Sequence, residues 1–426
     1  LLCLTKTGVP RAVAAFAAAT CILVATGALH AAARQPGAAN GRAEASLSVR
    51  SYGAKGDGKA DDTRAFIKAL QAASRSHRRL VVPAGVYRLR PLRVPDGLRL
   101  KGAGRGVTWL KGHLTFGSDQ RITDLKIGEA GDSAVHNSHG AKNTIFERCR
   151  FRGGGGPAGQ IGSSVIALGM NASCSNITFI NCEVERCLGA DPDFANGYND
   201  ITVHEGKNAR VSAITFDGCH VGVSNGVATG SPRMGIECWV NPDTNVGWQN
   251  ITIRNCVFEA TDAQCLDFAD RSTAVANGVL VEGCTLKGAG VTGVMWGYTI
   301  CLECPTGVVI RNNTIYRSSE IPFKICNIHP GSGPAAIVTG NNFDFASDNG
   351  IALRTWNPIL LKGIGNQFTG NTVSWNSAQG GADAMIELDH ATNNAVTGNT
   401  FNIGAEPIYV EGAGCLGNII ANNTVM

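Results

Sequence analysis

The sequence predicts an all-β solenoid, a chain of short strands stacked coil upon coil. Three observations predict it. From residue 143 onward ten segments repeat one pattern, opening with NTIFERCRF, NITFINCEV and AITFDGCHV and closing with NAVTGNTF and NIIANNTV. Within each segment apolar and polar residues alternate, which is the two-residue period of a strand. The composition agrees: 54 glycines, recurrent asparagine and 6% aromatics over 426 residues suit many short strands joined by tight turns. Repeats of this period cannot bury an apolar face alone, and stacking them builds a continuous core.

The repeats align on Cys149, Cys182, Cys219, Cys256 and Cys284, then on Asn313, Asn342, Asn371, Asn399 and Asn423, at spacings between 24 and 37 residues. Stacked coils hold equivalent residues about 4.8 Å apart. The alignment therefore predicts an internal ladder, with thiols filling space as small apolar groups and asparagine amides hydrogen-bonding up the stack. Of the 15 cysteines, the five in this series are expected to be buried and reduced. The N-x-S/T matches at Asn171, Asn176, Asn250, Asn312 and Asn422 read as parts of the repeat rather than as glycosylation sites. A lone C-x-x-C at 301–304 lacks the second pair that a zinc site needs.

Ahead of the repeats the chain changes character. Lys6 and Arg11 precede the apolar run AVAAFAAATCILVATGALHAAA, which gives residues 1–33 the pattern of a secretory signal peptide. The run is also long enough for an uncleaved anchor. Residues 34–47 read as a linker and 48–426 as the solenoid domain. In YGAKGDGKADDTRAFIKAL (52–70), Ala65, Phe66, Ala69 and Leu70, followed by Ala73, mark an amphipathic helix over 62–75. Asp61 or Asp62 stands at its N-cap. A calcium loop counted from Asp57 would need glutamate where Lys68 stands, so the acidic cluster reads as a cap.

That capped helix, followed by VVPAGVYRL and LRLKGAGRG, resembles the start of the pectate-lyase-like superfamily of single-stranded right-handed parallel β-helices. The group includes polygalacturonase-type hydrolases, mannuronan epimerases and phage tailspikes. The resemblance implies that the helix caps the first coil, whose sheet edges would otherwise lie open. It does not supply catalytic residues. The hydrolases' G-H-G element is missing, no R-x-K is placed where theirs stands, and TDAQCLDFAD only echoes their aspartate motifs. GYNDITVHEG sets Tyr198, Asp200 and His204 close together without reproducing the epimerase cluster.

A second strand in each unit also aligns: DITVHEG (200–206), GIECWV (235–240), CLDFAD (265–270), GVMWGY (293–298), PFKICN (322–327), GIALRTW (350–356) and MIELDH (385–390). Alternation points one set inward. It leaves Thr202, Glu237, Asp267, Met295, Lys324, Ala352 and Glu387 in one outward ladder. His204, Trp239, Ala269, Gly297, Cys326, Arg354 and Asp389 stand beside it. Such a strip suits a polysaccharide groove, because aromatic faces stack on sugars and charged groups serve acid–base steps or pair with uronates. Glu237, Asp267, Lys324, Arg354 and His204 are the candidate catalytic residues. Trp239, Tyr298, Glu387 and Asp389 are the candidate substrate-binding residues. Glu237 and Asp267, on adjacent coils, could divide acid and base roles or hold Ca²⁺; otherwise no cofactor is expected.

The expected function is a polysaccharide-active enzyme, secreted, periplasmic or at the cell surface, cleaving an acidic and possibly uronate-containing polymer by lyase-type β-elimination. In that scheme Lys324, Arg354 or the metal neutralises the enediolate, and His204 or Lys324 is the base. The alternatives are a glycoside hydrolase using Glu237 and Asp267, or a non-catalytic glycan-binding or adhesin β-helix. The net charge of +4 is compatible with an acidic polymer. No basic run interleaved with aromatics suggests nucleic acid, and no membrane partner is expected once the leader is cleaved.

Overall fold

The computed structural model describes residues 46–426 apart from 139, 157–162, 171, 189–198, 206–208, 225–233, 241–246, 260–263, 271–275, 289–296, 304–305, 327–335, 348–356, 376–383, 403–405 and 412–414. The expected leader, and all but two residues of the expected linker, lie outside the described residues. Among the described residues no helix is long and apolar enough to cross a membrane.

From Leu47 the chain winds through three sheets of 14, 14 and 12 strands. One coil illustrates the path: Val211–Asp217 lies in the first sheet, His220–Val223 in the second and Met234–Val240 in the third. Each strand pairs in parallel with its equivalent on the next coil. This is the right-handed parallel β-helix expected from the repeats. Inward residues form stacks along its axis. Phe146, Phe179 and Phe216 lie face to face at 5.0 and 4.9 Å, and Ile236, Leu266, Ile300, Phe323, Ile359 and Ile386 are fully buried under the third sheet.

The N-terminal helix runs Thr63–Ser76 and buries Phe66, Ala69, Leu70 and Ala73. The capping work is divided between the two aspartates. Asp61 accepts the Thr63 N–H at 3.0 Å. Asp62, at the N-cap position, turns inward and accepts the Lys55 and Gly56 N–H groups at 2.7 and 3.0 Å. The acidic cluster thus ties the helix to the loop before it.

The predicted ladder occupies the turn between the first and second sheets. Cys149, Cys182, Cys219, Cys256 and Cys284 are buried free thiols. The Cys219 N–H points to the Cys256 sulfur, and the Cys284 N–H donates to Asn313 Oδ1 at 2.8 Å. The series continues through Asn341 rather than Asn342. Asn341 is buried, whereas Asn342 opens the next strand and is exposed. Asn313 donates to Asn341, Asn341 to Asn371, Asn371 to Asn399 and Asn399 to Asn423, each through both its backbone N–H and its amide. A parallel series, Asn366, Asn394 and Asn418, escaped the alignment.

Just before this ladder the backbone turns left-handed. Asn181, Gly218, Asn255, Gly283, Asn312 and Gly340 occupy successive coils at φ between 51 and 65°. Each asparagine side chain covers the glycine above it. A Cβ at Gly218 would lie 2.4 Å from Asn181 Oδ1, and one at Gly340 2.7 Å from Asn312 Oδ1. Only glycine meets both the dihedral and the space at these two positions. Asn176, Asn250, Asn312 and Asn422, the described members of the sequon set, also have positive φ, a conformation that asparagine tolerates.

On the outer face of the second sheet, Glu185 has a fully buried side chain. It accepts from Lys126 Nζ at 2.6 Å, Arg150 Nε at 2.7 Å and Arg152 Nη1 at 2.8 Å. Burial pushes its pKa up, but Lys126 and Arg150 outweigh that and hold it below the usual glutamate value.

Two stability predictions follow from these networks. Asn371→Ala strands the Asn341 donors and the Val338 carbonyl, and should cost about 3 kcal/mol. Cys256→Ala should cost less, because it removes mainly packing volume; chemical denaturation of the two variants compares them. Glu185 contributes stability above its unfolded pKa of about 4.3, and that contribution is lost as pH falls through its depressed folded value. Glu185→Gln should therefore cost about 3 kcal/mol at pH 7 and flatten the acid limb of a pH–stability curve below about pH 4.5.

Candidate functional site

The outer face of the third sheet carries the predicted strip. Its register places Thr202 beside Glu237, Glu237 beside Asp267, Asp267 beside Cys301, and Cys301 beside Lys324. Leu360, Glu387 and Tyr409 complete this ladder. The neighbouring ladder runs His204, Trp239, Ala269, Glu303, Cys326, Lys362, Asp389 and Glu411. Glu237, Asp267, Lys324 and Glu387 thus share one ladder, and His204, Trp239 and Asp389 share the next.

Two coils are phased differently from the expectation. The strand expected at 293–298 is Tyr298–Glu303, so Cys301 stands where Met295 was expected and Glu303 where Gly297 was. The strand expected at 350–356 is Ile359–Ile364, so Leu360 replaces Ala352 and Lys362 takes the rung assigned to Arg354. Arg354 itself lies outside the described residues. The reason is that GVMWGY and GIALRTW alternate as well as the true strands do, and connection lengths vary between coils. Stacking of Ile300 and Ile359 on Phe323 fixes the phase.

Glu237 is held from one side. Asn199, which is buried, donates to Glu237 Oε2 at 2.6 Å and to Thr202 Oγ1 at 3.2 Å. Thr202 Oγ1 lies 2.5 Å from Ser164 Oγ. A hydrogen bond donated to a carboxylate favours its ionised form. Asp267 is 7% exposed and lies between Glu237 and Cys301. Burial, and then the Asp267 carboxylate, push the Cys301 thiol up. Asp200, grouped with His204 in the sequence, is instead fully buried. It accepts the Cys187 N–H at 2.8 Å, and burial raises its pKa. Tyr198 lies outside the described residues.

Lys324 anchors the middle of the strip. Its Nζ is 3.5 Å from Glu303 Oε1 and 4.8 Å from the centre of the Tyr298 ring. Burial works against its charge, but the groups around it, the Glu303 carboxylate 3.5 Å away among them, outweigh that and raise its pKa above the ordinary lysine value. The carboxylate and the ring face both favour the charged ammonium of Lys324. Burial also pushes the Tyr298 phenol up, keeping its proton in place. His204 is four coils from Lys324, about 19 Å at the inter-strand spacing. The two residues cannot serve one sugar carbon.

A second charged group follows two coils on. Asp389 pairs with Lys362 and His390. Glu387 Oε2 accepts from Asn357 Nδ2 at 2.9 Å, while burial and the nearby Glu411 raise its pKa. Among the described residues no cluster of three or more His, Cys, Asp or Glu side chains is placed to hold a metal ion. Glu237 and Asp267 supply two carboxylates, Asn199 turns an N–H donor toward one of them, and Ca²⁺ takes six to eight oxygens. Among the described residues the donor set falls short of a calcium site.

Comparison with known proteins agrees with this architecture. The family described as rhamnogalacturonase A/epimerase, pectate lyase-like, matches residues 46–295. The chain belongs to this family. Mannuronan C5-epimerase AlgE3 of Azotobacter vinelandii is 30% identical over 152 residues, covering 34% of the chain and 8% of AlgE3. An exopolygalacturonase of Arabidopsis thaliana, clone GBGA483, is 24% identical over 283 residues, covering 57% of the chain and 62% of the relative. The chain spans less than two thirds of the length of these curated relatives. PfbA, a surface adhesin of Streptococcus pneumoniae, shares the fold, with a TM-score of 0.50 at 15% identity over 89% of the chain and 92% of PfbA.

The strip contains residues that the sequence reading missed. Asn199, Glu303 and Lys362 each hold a predicted residue in place. The polar residue just before DITVHEG and the alternation of YTICLE and ILLKGI were the available signals. The Lys324 cluster can be tested without substrate. Lys324→Met and Glu303→Gln should each lower stability by about 1–3 kcal/mol, and the double variant should lose less than the sum by about 1 kcal/mol. Urea denaturation of all four forms measures that coupling.

Proposed function

We propose that this pectate lyase-like chain is a polysaccharide-active enzyme that cleaves a uronate-containing polymer by β-elimination in the third-sheet groove. The observation that carries the reading is the register that sets Asp267 two coils from Lys324, about 10 Å apart at the backbone. A sugar ring fits between their side chains. Asp267 takes the proton α to the uronate carboxylate, and its C–H electron pair moves into the carboxylate as an enediolate. Lys324 neutralises that charge as it forms. Collapse of the enediolate forms a C=C bond and breaks the glycosidic C–O bond, and the Tyr298 phenol supplies the proton to the leaving oxygen. Asn199 holds Glu237 in orientation at the next rung. His204 and Trp239 on one side, and Lys362, Glu387 and Asp389 on the other, lie where neighbouring sugars would extend. AlgE3, a relative named for C5 epimerisation of mannuronan, supports a uronate polymer as substrate. The apolar run at 12–33 supports an exported protein.

A hydrolase is the second reading, favoured by the adjacency of Glu237 and Asp267 and by the exopolygalacturonase relative. Their rungs are about 4.8 Å apart at the backbone, and a retaining mechanism uses carboxyl groups about 5 Å apart. The test is an assay of the full chain on polygalacturonate, alginate and neutral polysaccharides. Products absorbing in the ultraviolet support elimination. New reducing ends without that absorbance indicate hydrolysis, and retention without any product indicates a glycan-binding β-helix. Asp267→Asn should lower the rate about 10²–10⁴-fold while the protein stays folded, and Tyr298→Phe should lower kcat with KM little changed. Undiminished activity in Asp267→Asn and Glu237→Gln alike would place the chemistry elsewhere on the helix.

A further inference from the structure

The mild net charge conceals a division along the solenoid. Residues 46–152 carry 21 Lys and Arg against 9 Asp and Glu, whereas residues 153–426 carry 12 against 23. Asymmetry of this size in one chain points to a charged partner for one part of it. Part of the basic excess is gathered on the outer face of the first sheet, on another sheet from the proposed site. Arg99 pairs in register with Arg121. Arg79 precedes Leu80, which pairs with Leu100, so it stands one rung below Arg99. Three arginines thus follow one another at the inter-strand spacing of about 4.8 Å. Lys101 and Arg148 flank them around a depression of about 410 Å³, where Asp124 and Glu147 are the acidic lining residues among those described. Those two are already engaged, Asp124 by Arg148 at 2.7 Å and Glu147 by Arg121 and Arg148. Arg99, Lys101, Arg121 and Arg148 are all exposed.

We infer that this arginine ladder is a second binding site, separate from the groove, for an anionic polysaccharide. Guanidinium groups repeated at a fixed spacing match a polymer that carries a carboxylate on each sugar, and arginine pairs with carboxylates in a two-pronged geometry. Among the described residues no aromatic side chain lines the depression, which gives it no stacking platform of the kind that single-stranded nucleic acid uses. It also lacks the apolar face that a membrane surface would engage. The site holds the polymer on one face of the solenoid while the groove works on another, which raises the local concentration of chain ends or segments at the groove. Only the choice of uronate as ligand leans on the proposed function; the charge and its placement do not.

The test uses the full chain and polygalacturonate as probe, with retardation in affinity gels and titration calorimetry as readouts. The wild type should bind, more weakly as salt rises, because exposed charges are screened. Arg99→Gln/Lys101→Gln should bind at least about tenfold more weakly, a loss equivalent to about 1.4 kcal/mol, with an unchanged melting temperature and unchanged turnover of short oligouronates. Arg99→Glu/Lys101→Glu should abolish retardation. The groove variant Glu237→Gln/Asp267→Asn should keep the salt-sensitive binding. Polygalacturonate binding by Arg99→Glu/Lys101→Glu equal to wild type would overturn the inference, and so would tighter binding of single-stranded DNA than of polygalacturonate. Ladder-dependent binding in a protein that turns over no uronate would sink the proposed reaction and leave this site standing.

Discussion

Parallel stacking in register is the constraint on which the rest of the molecule depends. Because each strand lies beside its equivalent on the next coil, a residue chosen once is presented again about 4.8 Å further along. The phenylalanine stack, the thiol and asparagine ladder and the charged strip of the third sheet are all products of that rule. The interior uses it to satisfy buried polar groups: each asparagine in the turn gives its backbone N–H and its amide to the next coil. The exterior uses it to bring together residues far apart in sequence, such as Asp267 and Lys324. A surface assembled this way needs no separate scaffold, because the sheet that closes the core also sets the spacing of the residues on its outer face.

The buried side of this rule was easy to read in the sequence and the exposed side was harder. Cys149 through Cys284 could be aligned because a close-packed turn tolerates few residue types, so the same ones recur. Asn341 was displaced by one only because two asparagines stand together there. The third-sheet strands around Glu237, Asp267 and Lys324 were legible from alternation alone. Those at 298–303 and 359–364 were not, since the preceding segments alternate equally well and nothing local says which set stacks on Phe323. Asn199 was invisible for another reason: it lies outside the strand, and its role appears only when the chain brings it to Glu237. The two aspartates at the helix start were correctly placed at the cap, but their division of labour depends on the loop at Lys55 and Gly56, which no helix rule describes.

Charge shows the same distinction between sums and positions. A net value of +4 describes neither end of the solenoid, because a linear fold keeps its segments apart and does not let opposite charges average out. The field near the first coils is that of a basic protein, and the field along the later coils is that of an acidic one. An anionic polymer approaching this molecule would be oriented by that gradient before it touched any groove.

The alternation of asparagine and glycine at the left-handed turn bears on how such a chain can grow. Between residues 181 and 340 each asparagine needs a neighbour without a Cβ on the coil above it. The true structural period there is two coils, although the sequence pattern repeats with each one. Copying or deleting a pair of coils preserves the match of side chain to bare backbone, whereas copying one coil sets asparagine against asparagine. The neighbouring left-handed turn shows what that arrangement requires: Asn176 stacks on Asn143 by turning its amide to donate to the Oδ1 below at 3.0 Å. An odd number of added coils would therefore exchange a steric match for a hydrogen-bonded one.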